Sequence, residues 1–123
     1  MMTTTRVLTV DDSPSMRALL LNALQQQGFE VDQAEDGQAA LEWLARNEVD
    51  VIITDINMPR MDGFGLIENL RASARHADRP ILVLSTEDSP EKKGRARNAG
   101  ATGWIVKPFD AEKLASAVRR IAH

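Results

Sequence analysis

The sequence predicts an α/β fold in which a parallel five-stranded sheet, ordered 2-1-3-4-5, is layered between helices. Two observations predict it. Apolar runs of strand length alternate with helix-length patterns along the whole of the 123 residues. Three of those runs, Arg6–Val10, Val49–Thr54 and Pro80–Leu84, are nearly continuous Val, Ile and Leu, as expected of strands covered on both faces.

Residues 1–5 read as a short disordered lead-in, and 6–123 as a single domain. After the first strand, Ser13-Pro14 reads as an N-cap followed by proline at the first helical position. Met16, Leu19, Leu20, Ala23 and Leu24 then follow the helical period, and Gly28 is placed to end that helix in a left-handed turn. Glu30–Ala34 is the second strand. Asp36 can cap a second helix with Ala40, Leu41, Leu44 and Ala45 inward. The third strand comes next, and Asp62-Gly63 opens a helix with Ile67, Leu70 and Ala74 inward. After the fourth strand, Ser89-Pro90 opens a helix that Gly100 ends. That segment, EKKGRARNA, has two alanines to bury and a glycine inside, so it is expected to be weakly anchored. Gly103–Val106 is the fifth strand, and Asp110 caps a last helix with Leu114, Ala115, Val118, Ile121 and Ala122 inward. Alternation of this kind implies a parallel sheet with helices on both faces. Right-handed crossovers then leave the flavodoxin-like (βα)5 three-layer sandwich as the commonest solution at this size.

An apolar fraction of 43% is enough for a core, and the absence of cysteine excludes disulfides, thiolate metal sites and cysteine nucleophiles. No stretch has the length of a signal peptide or a membrane span, so a cytoplasmic protein is expected. A net charge of −3, with both signs mixed along the chain, gives no support for nucleic-acid binding.

The residues with chemistry to offer stand just past the strand ends. Asp11-Asp12 come after the first strand, Asp55 after the third, Ser85-Thr86 after the fourth and Lys107 after the fifth. A parallel sheet places all of these at one edge, around the switch between strands 1 and 3. Three nearby carboxylates need either a proton or a cation among them. Oxygen donors without histidine or thiol favour Mg²⁺, which leaves room for phosphate oxygens. An attacking carboxylate, a divalent cation, a lysine and a hydroxyl together compose a phosphoryl-transfer site.

The segments VDDSPSMR (10–17), AEDGQAAL (34–41), DINMPRMDG (55–63), LST (84–86) and AGATGWIVKPF (99–109) resemble response-regulator receiver domains, and among them the stand-alone chemotaxis regulators. The resemblance runs from Arg6 to the end of the last helix. It implies a phosphoprotein of two-component phosphorelay signalling, phosphorylated on Asp55 by a histidine kinase. Asp12 would hold Mg²⁺ directly and Asp11 through water, with Asp55 and the backbone carbonyl of Asn57 completing the metal set. Ser85 and Lys107 would contact the phosphoryl group. Ser85 and Trp104 would form the switch, Ser85 replacing the commoner threonine and Trp104 the usual Tyr or Phe. Asn57 and Glu87 would flank the pocket where the family varies its dephosphorylation rate. The Lys107–Pro108 bond is expected to be cis. The chain would catalyse only its own phosphorylation and dephosphorylation. It would work as a monomer, by protein–protein contact alone since it stops after the fifth helix, with the flagellar motor switch as leading partner and a phosphatase as a further one. A phosphate sink, or a regulator of a non-motility partner, is the alternative.

Other readings have less to stand on. A small-molecule phosphohydrolase would want a second acid two residues after the nucleophile, where Asn57 stands. A flavin module would want hydroxyls rather than acids after strand 1. Capping accounts for Asp36 and Asp62, and packing for Trp43. His76, in a polar loop, and His123, the last residue, have no metal partner at useful spacing. The run Lys92, Lys93, Arg95, Arg97 reads as a solvated helix face, with an acidic partner as the alternative.

Overall fold

The computed structural model describes residues 4–122. Five strands and five helices alternate: β1 (Arg6–Val10), α1 (Pro14–Gln26), β2 (Glu30–Ala34), α2 (Gly37–Leu44), β3 (Val51–Thr54), α3 (Gly63–Ala72), β4 (Ile81–Ser85), α4 (Pro90–Ala99), β5 (Gly103–Val106) and α5 (Ala111–Ile121). The strands are parallel and lie in the order β2-β1-β3-β4-β5, as expected. Residues 1–3 of the expected lead-in, and His123, lie outside the described residues. Thr5 already belongs to the sheet margin, its carbonyl accepting the Glu30 N–H at 3.0 Å.

Each helix begins where its capping residue dictates. Ser13, Asp36, Asp62, Ser89 and Asp110 each accept a backbone N–H two or three residues on, satisfying donors that a helix start leaves without partners. At the far end of α1, Gly28 takes φ 92°, its N–H bonds to Gln25 and the next, Phe29, to Leu24. This is the Schellman arrangement that glycine makes possible. Gly100 repeats it at the end of α4, with φ 118°.

The sheet divides the core. On one face α1 and α5 cover Val7, Val51, Ile53, Leu82 and Leu84 with Leu20, Leu24, Leu114 and Val118. On the other, α2, α3 and α4 cover Leu8, Ile52, Ile81 and Val83 with Ala40, Leu44, Phe64, Leu66, Ile67 and Leu70. At the amino-terminal edge of the sheet Arg71 ties three segments together, donating to the carbonyls of Ala77, Arg79 and Gly100 at 2.7–2.9 Å.

Several local expectations are corrected. β3 begins at Val51 rather than Val49, because the Asp50 carboxylate accepts the Arg6 N–H at 2.8 Å and the ladder with β1 starts one residue later. Leu19, expected inward, is 57% exposed; α1 buries the narrower stripe of Leu20 and Leu24. Ala45 and Ala74 are exposed, lying beyond the last residues of α2 and α3. His76 lies in the loop after α3 as expected but is buried there, and its Nε2 lies 3.0 Å from the carbonyl of Leu44 at the end of α2. Among the described residues, no helix is long and apolar enough to cross a membrane.

Candidate functional site

Register brings the expected residues to one edge. Val10 at the end of β1 is level with Ala34 of β2 and Thr54 of β3, Thr54 with Val83 of β4, and Ser85 with Val106 of β5. The residues next in the chain therefore open onto a shared cleft. Carboxylate oxygens of Asp11, Asp12 and Asp55 lie within 4.8 Å of one another. Lys107 enters from the end of β5, and its Nζ donates to Asp11 Oδ2 at 2.9 Å and to Asp55 Oδ2 at 3.0 Å.

The acids differ in how they are held. Asp11 is buried: its Oδ1 accepts the Ser13 N–H at 2.9 Å, and its carbonyl accepts Arg17 Nη1 at 2.7 Å. Asp12 is exposed, yet its carboxylate lies within reach of those of Asp11 and Asp55. Asp55 is partly accessible, and its Oδ1 accepts the N–H of Ile56 at 2.6 Å. Burial pushes the Lys107 ammonium down, but its bonds to Asp11 and Asp55 outweigh that and hold its pKa above the ordinary lysine value. The donor set, three carboxylates without imidazole or thiolate, is what a hard, oxygen-seeking divalent cation takes, so the residues fit Mg²⁺.

Around the acids, Ser85 ends β4 fully buried, and its Oγ accepts the Glu87 N–H at 3.2 Å, bonding within its own loop. That leaves the hydroxyl hydrogen free to donate elsewhere. Trp104 is partly buried on β5, and its indole N–H donates to the Glu87 carbonyl at 3.1 Å. The tryptophan thus ties β5 to the β4–α4 loop without a hydroxyl. Glu87 also pairs with Lys92 at 3.0 Å. Asn57 is exposed on the β3–α3 loop. The Lys107–Pro108 peptide is cis, as expected.

Of the basic run on α4, Lys92 pairs with Glu87, Lys93 with Asp88, and the guanidinium of Arg95 lies 4.0 Å from the Phe64 ring centroid. Much of that charge is therefore satisfied within the chain. Trp43 packs against the core as expected.

Two arginines beside the site had no role assigned from the sequence. Arg17 holds the Asp11 carbonyl; its only signal was its place one turn into the helix after the acids. Arg60, on the β3–α3 loop, donates from Nε and Nη2 to the two oxygens of Asp36 at 2.7 and 3.0 Å. No spacing rule marks that pair, which is 24 residues apart. The Arg60 hydrogen bonds hold the Asp36 carboxyl below its ordinary value, against the opposing effect of burial.

A buried and an exposed acid after β1, a third after β3 and a lysine from β5 that bridges two of them place an acidic site at the strand ends of a doubly wound α/β protein. The chain belongs to the response regulator receiver domain family, whose model matches residues 7–119. It is a receiver domain of the kind found in CheY-like response regulators. It is 38% identical over 117 residues to chemotaxis protein CheY-3 of Vibrio cholerae, a match covering 94% of this chain and 90% of that one. The structure of chemotaxis response regulator CheY4 of Vibrio cholerae superposes with a TM-score of 0.91 at 45% identity, covering 97% of this chain and 99% of that one. A gliding motility regulatory protein of Myxococcus xanthus is 40% identical over 117 residues, 94% of this chain. This chain spans only 15% of that longer protein.

Proposed function

We propose that this chain is the phosphorylation switch of a chemotaxis-type two-component pathway, accepting a phosphoryl group from a histidine kinase onto Asp55. The observation that carries the reading is the convergence of Asp11, Asp12 and Asp55 with Lys107 bridging two of them. Asp11, Asp12, Asp55 and the Asn57 carbonyl would hold Mg²⁺, which when bound neutralises charge on the transferring phosphoryl oxygens.

The chain's own groups then divide the work. A carboxylate oxygen of Asp55 attacks phosphorus in line with the bond to the donor imidazole nitrogen. The new P–O bond forms as the P–N bond breaks, and the electron pair leaves with the imidazole. Lys107, charged throughout the neutral range, transfers its donors from Asp55 to a phosphoryl oxygen. The Ser85 hydroxyl donates to another. In dephosphorylation, a separate step, water attacks phosphorus and the P–O bond to Asp55 breaks with its electron pair returning to the carboxylate. Inorganic phosphate departs, the water's protons going to the phosphate or to solvent. Asn57 and Glu87 flank that path, and a phosphatase would act on the same acyl phosphate. The chain catalyses its own phosphorylation and dephosphorylation, and no other turnover.

The output arises from the same contacts. Drawing Ser85 and the β4–α4 loop inward moves the Glu87 carbonyl, to which the Trp104 indole is bonded. The face formed by α4, β5 and α5 is reshaped for a partner. Similarity to a chemotaxis protein supports a chemotaxis-type pathway. The flagellar motor switch as partner and a cytoplasmic monomer as the working form are part of the same proposal. A second reading is a phosphate sink or a regulator of a non-motility partner, for which the same acids and lysine would serve.

Incubation with acetyl phosphate and Mg²⁺ tests the reading, with phosphoprotein resolved on a phosphate-sensitive gel and tryptophan emission monitored. Labelling is expected in wild type, to disappear with a chelator or Asp55→Asn, and to slow by about 10²-fold in Lys107→Ala. Labelling that persists in Asp55→Asn overturns it. A pull-down of motor-switch protein, with and without a phosphoryl mimic, separates motor control from the sink.

A further inference from the structure

Arg60 holds a backbone conformation that its side chain disfavours. Its φ is 65°, in the left-handed region where a Cβ crowds the following carbonyl. The Met61 N–H donates to the Pro59 carbonyl at 2.7 Å, closing a γ-turn around it. Such a conformation persists only where surrounding contacts over-determine it.

Those contacts all lead to the start of α2. The Arg60 guanidinium grips both oxygens of Asp36. Asp36 is buried and is itself fixed by the Ala39 N–H at 2.8 Å. Beside it the Gly37 N–H donates to the Met61 carbonyl at 3.3 Å. A Cβ on Gly37 would lie 2.9 Å from that oxygen, so only glycine allows the approach. At the other end of the β3–α3 loop, the Gly63 N–H donates to the Ile56 carbonyl at 2.8 Å. There a Cβ would collide with the Asp55 carbonyl oxygen. The loop is therefore pinned at its base by Gly63 and at its tip by Arg60, and Asn57 lies on the span between the pins.

We infer that Arg60 is a positioning residue for the cation site: its clamp on Asp36 fixes the β3–α3 loop, and with it the Asn57 carbonyl, in the conformation the cation requires. The inference rests on the reading of the acidic cleft as a Mg²⁺ site. Without the clamp the turn is free to leave positive φ. The loop must then be re-ordered each time the cation binds, which weakens binding while leaving the loaded site unchanged.

Arg60→Gly tests this, because glycine accepts the φ without the clamp. Calorimetric titration with Mg²⁺ is expected to show a Kd raised roughly tenfold. The half-saturating Mg²⁺ for acetyl phosphate labelling should move by the same factor, with the rate at saturation within about twofold of wild type. Hydrogen exchange of the Gly37 and Met61 amides, both hydrogen-bonded at the clamp, should quicken before Mg²⁺ is added. Arg60→Lys should recover part of the affinity. Asp36→Asn, which keeps a capping oxygen but loses the charge, should weaken binding in the same direction should Arg60→Gly fail to fold. Variants that melt early yet bind Mg²⁺ as wild type overturn the inference and leave the cleft reading intact. A wild-type chain that neither binds Mg²⁺ nor labels overturns that reading, and the inference with it.

Discussion

Asp36 shows how far a single carboxylate reaches. It caps α2, anchors Arg60 and remains ionised in a buried position because the guanidinium holds its pKa low. A carboxyl depressed in the folded state stabilises it above the unfolded value of about 3.9, and that contribution is lost as pH falls through the lower, folded value. Asp36→Asn should therefore melt below wild type at pH 7, with the gap narrowing once the pH drops under about 4. Thermal melts across that range decide it, and a gap independent of pH would mean that charge is not what Asp36 contributes. The sequence identifies Asp36 as a cap and goes no further. Arg60 is not legible at all, since arginine carries no signal for positive φ and its partner belongs to a different βα unit. By contrast Asp11, Asp12, Asp55 and Lys107 can be placed together, because a parallel sheet aligns the residues just past its strand ends.

Among the elements, α4 differs from its neighbours. Ala96 is its one buried residue, and beyond that the helix is held by Ala99 packed against the same core and by Arg95 over Phe64. Gly94 lies mid-helix with nothing within 4 Å of where a Cβ would be. Glycine in a helix interior costs about 0.5–1 kcal/mol relative to alanine. Gly94→Ala should raise stability by about that amount in urea unfolding and slow hydrogen exchange along α4. A loss of stability would show that the helix packs more closely there than the structure describes. That weak anchoring is readable from composition alone. The exposure of Leu19 is not, because periodicity allots α1 a wider apolar stripe than one sheet face can cover. Nor is the burial of His76, whose partner, the carbonyl of Leu44, is supplied by the end of another helix.

At the scale of the molecule, topology is the most legible property. The five capping residues and the run of apolar segments leave few arrangements, and crossover handedness narrows the strand order. Pattern does not reveal the traffic between loops, such as the grip of Arg71 on the carbonyls of Ala77, Arg79 and Gly100. The two apolar clusters, one on each side of the strands, carry a consequence of their own. Ile67 on α3 and Val118 on α5 are both fully buried but belong to different clusters. Ile67→Val should cost about 0.5–1.5 kcal/mol and Val118→Ala, which removes two methyl groups, about 2 kcal/mol. In the double variant the losses should sum to within about 0.5 kcal/mol, and a larger coupling would show that strain crosses the sheet. The strands thus work as a bulkhead: either hold can drift in sequence to suit a new neighbour while the other stays as it was.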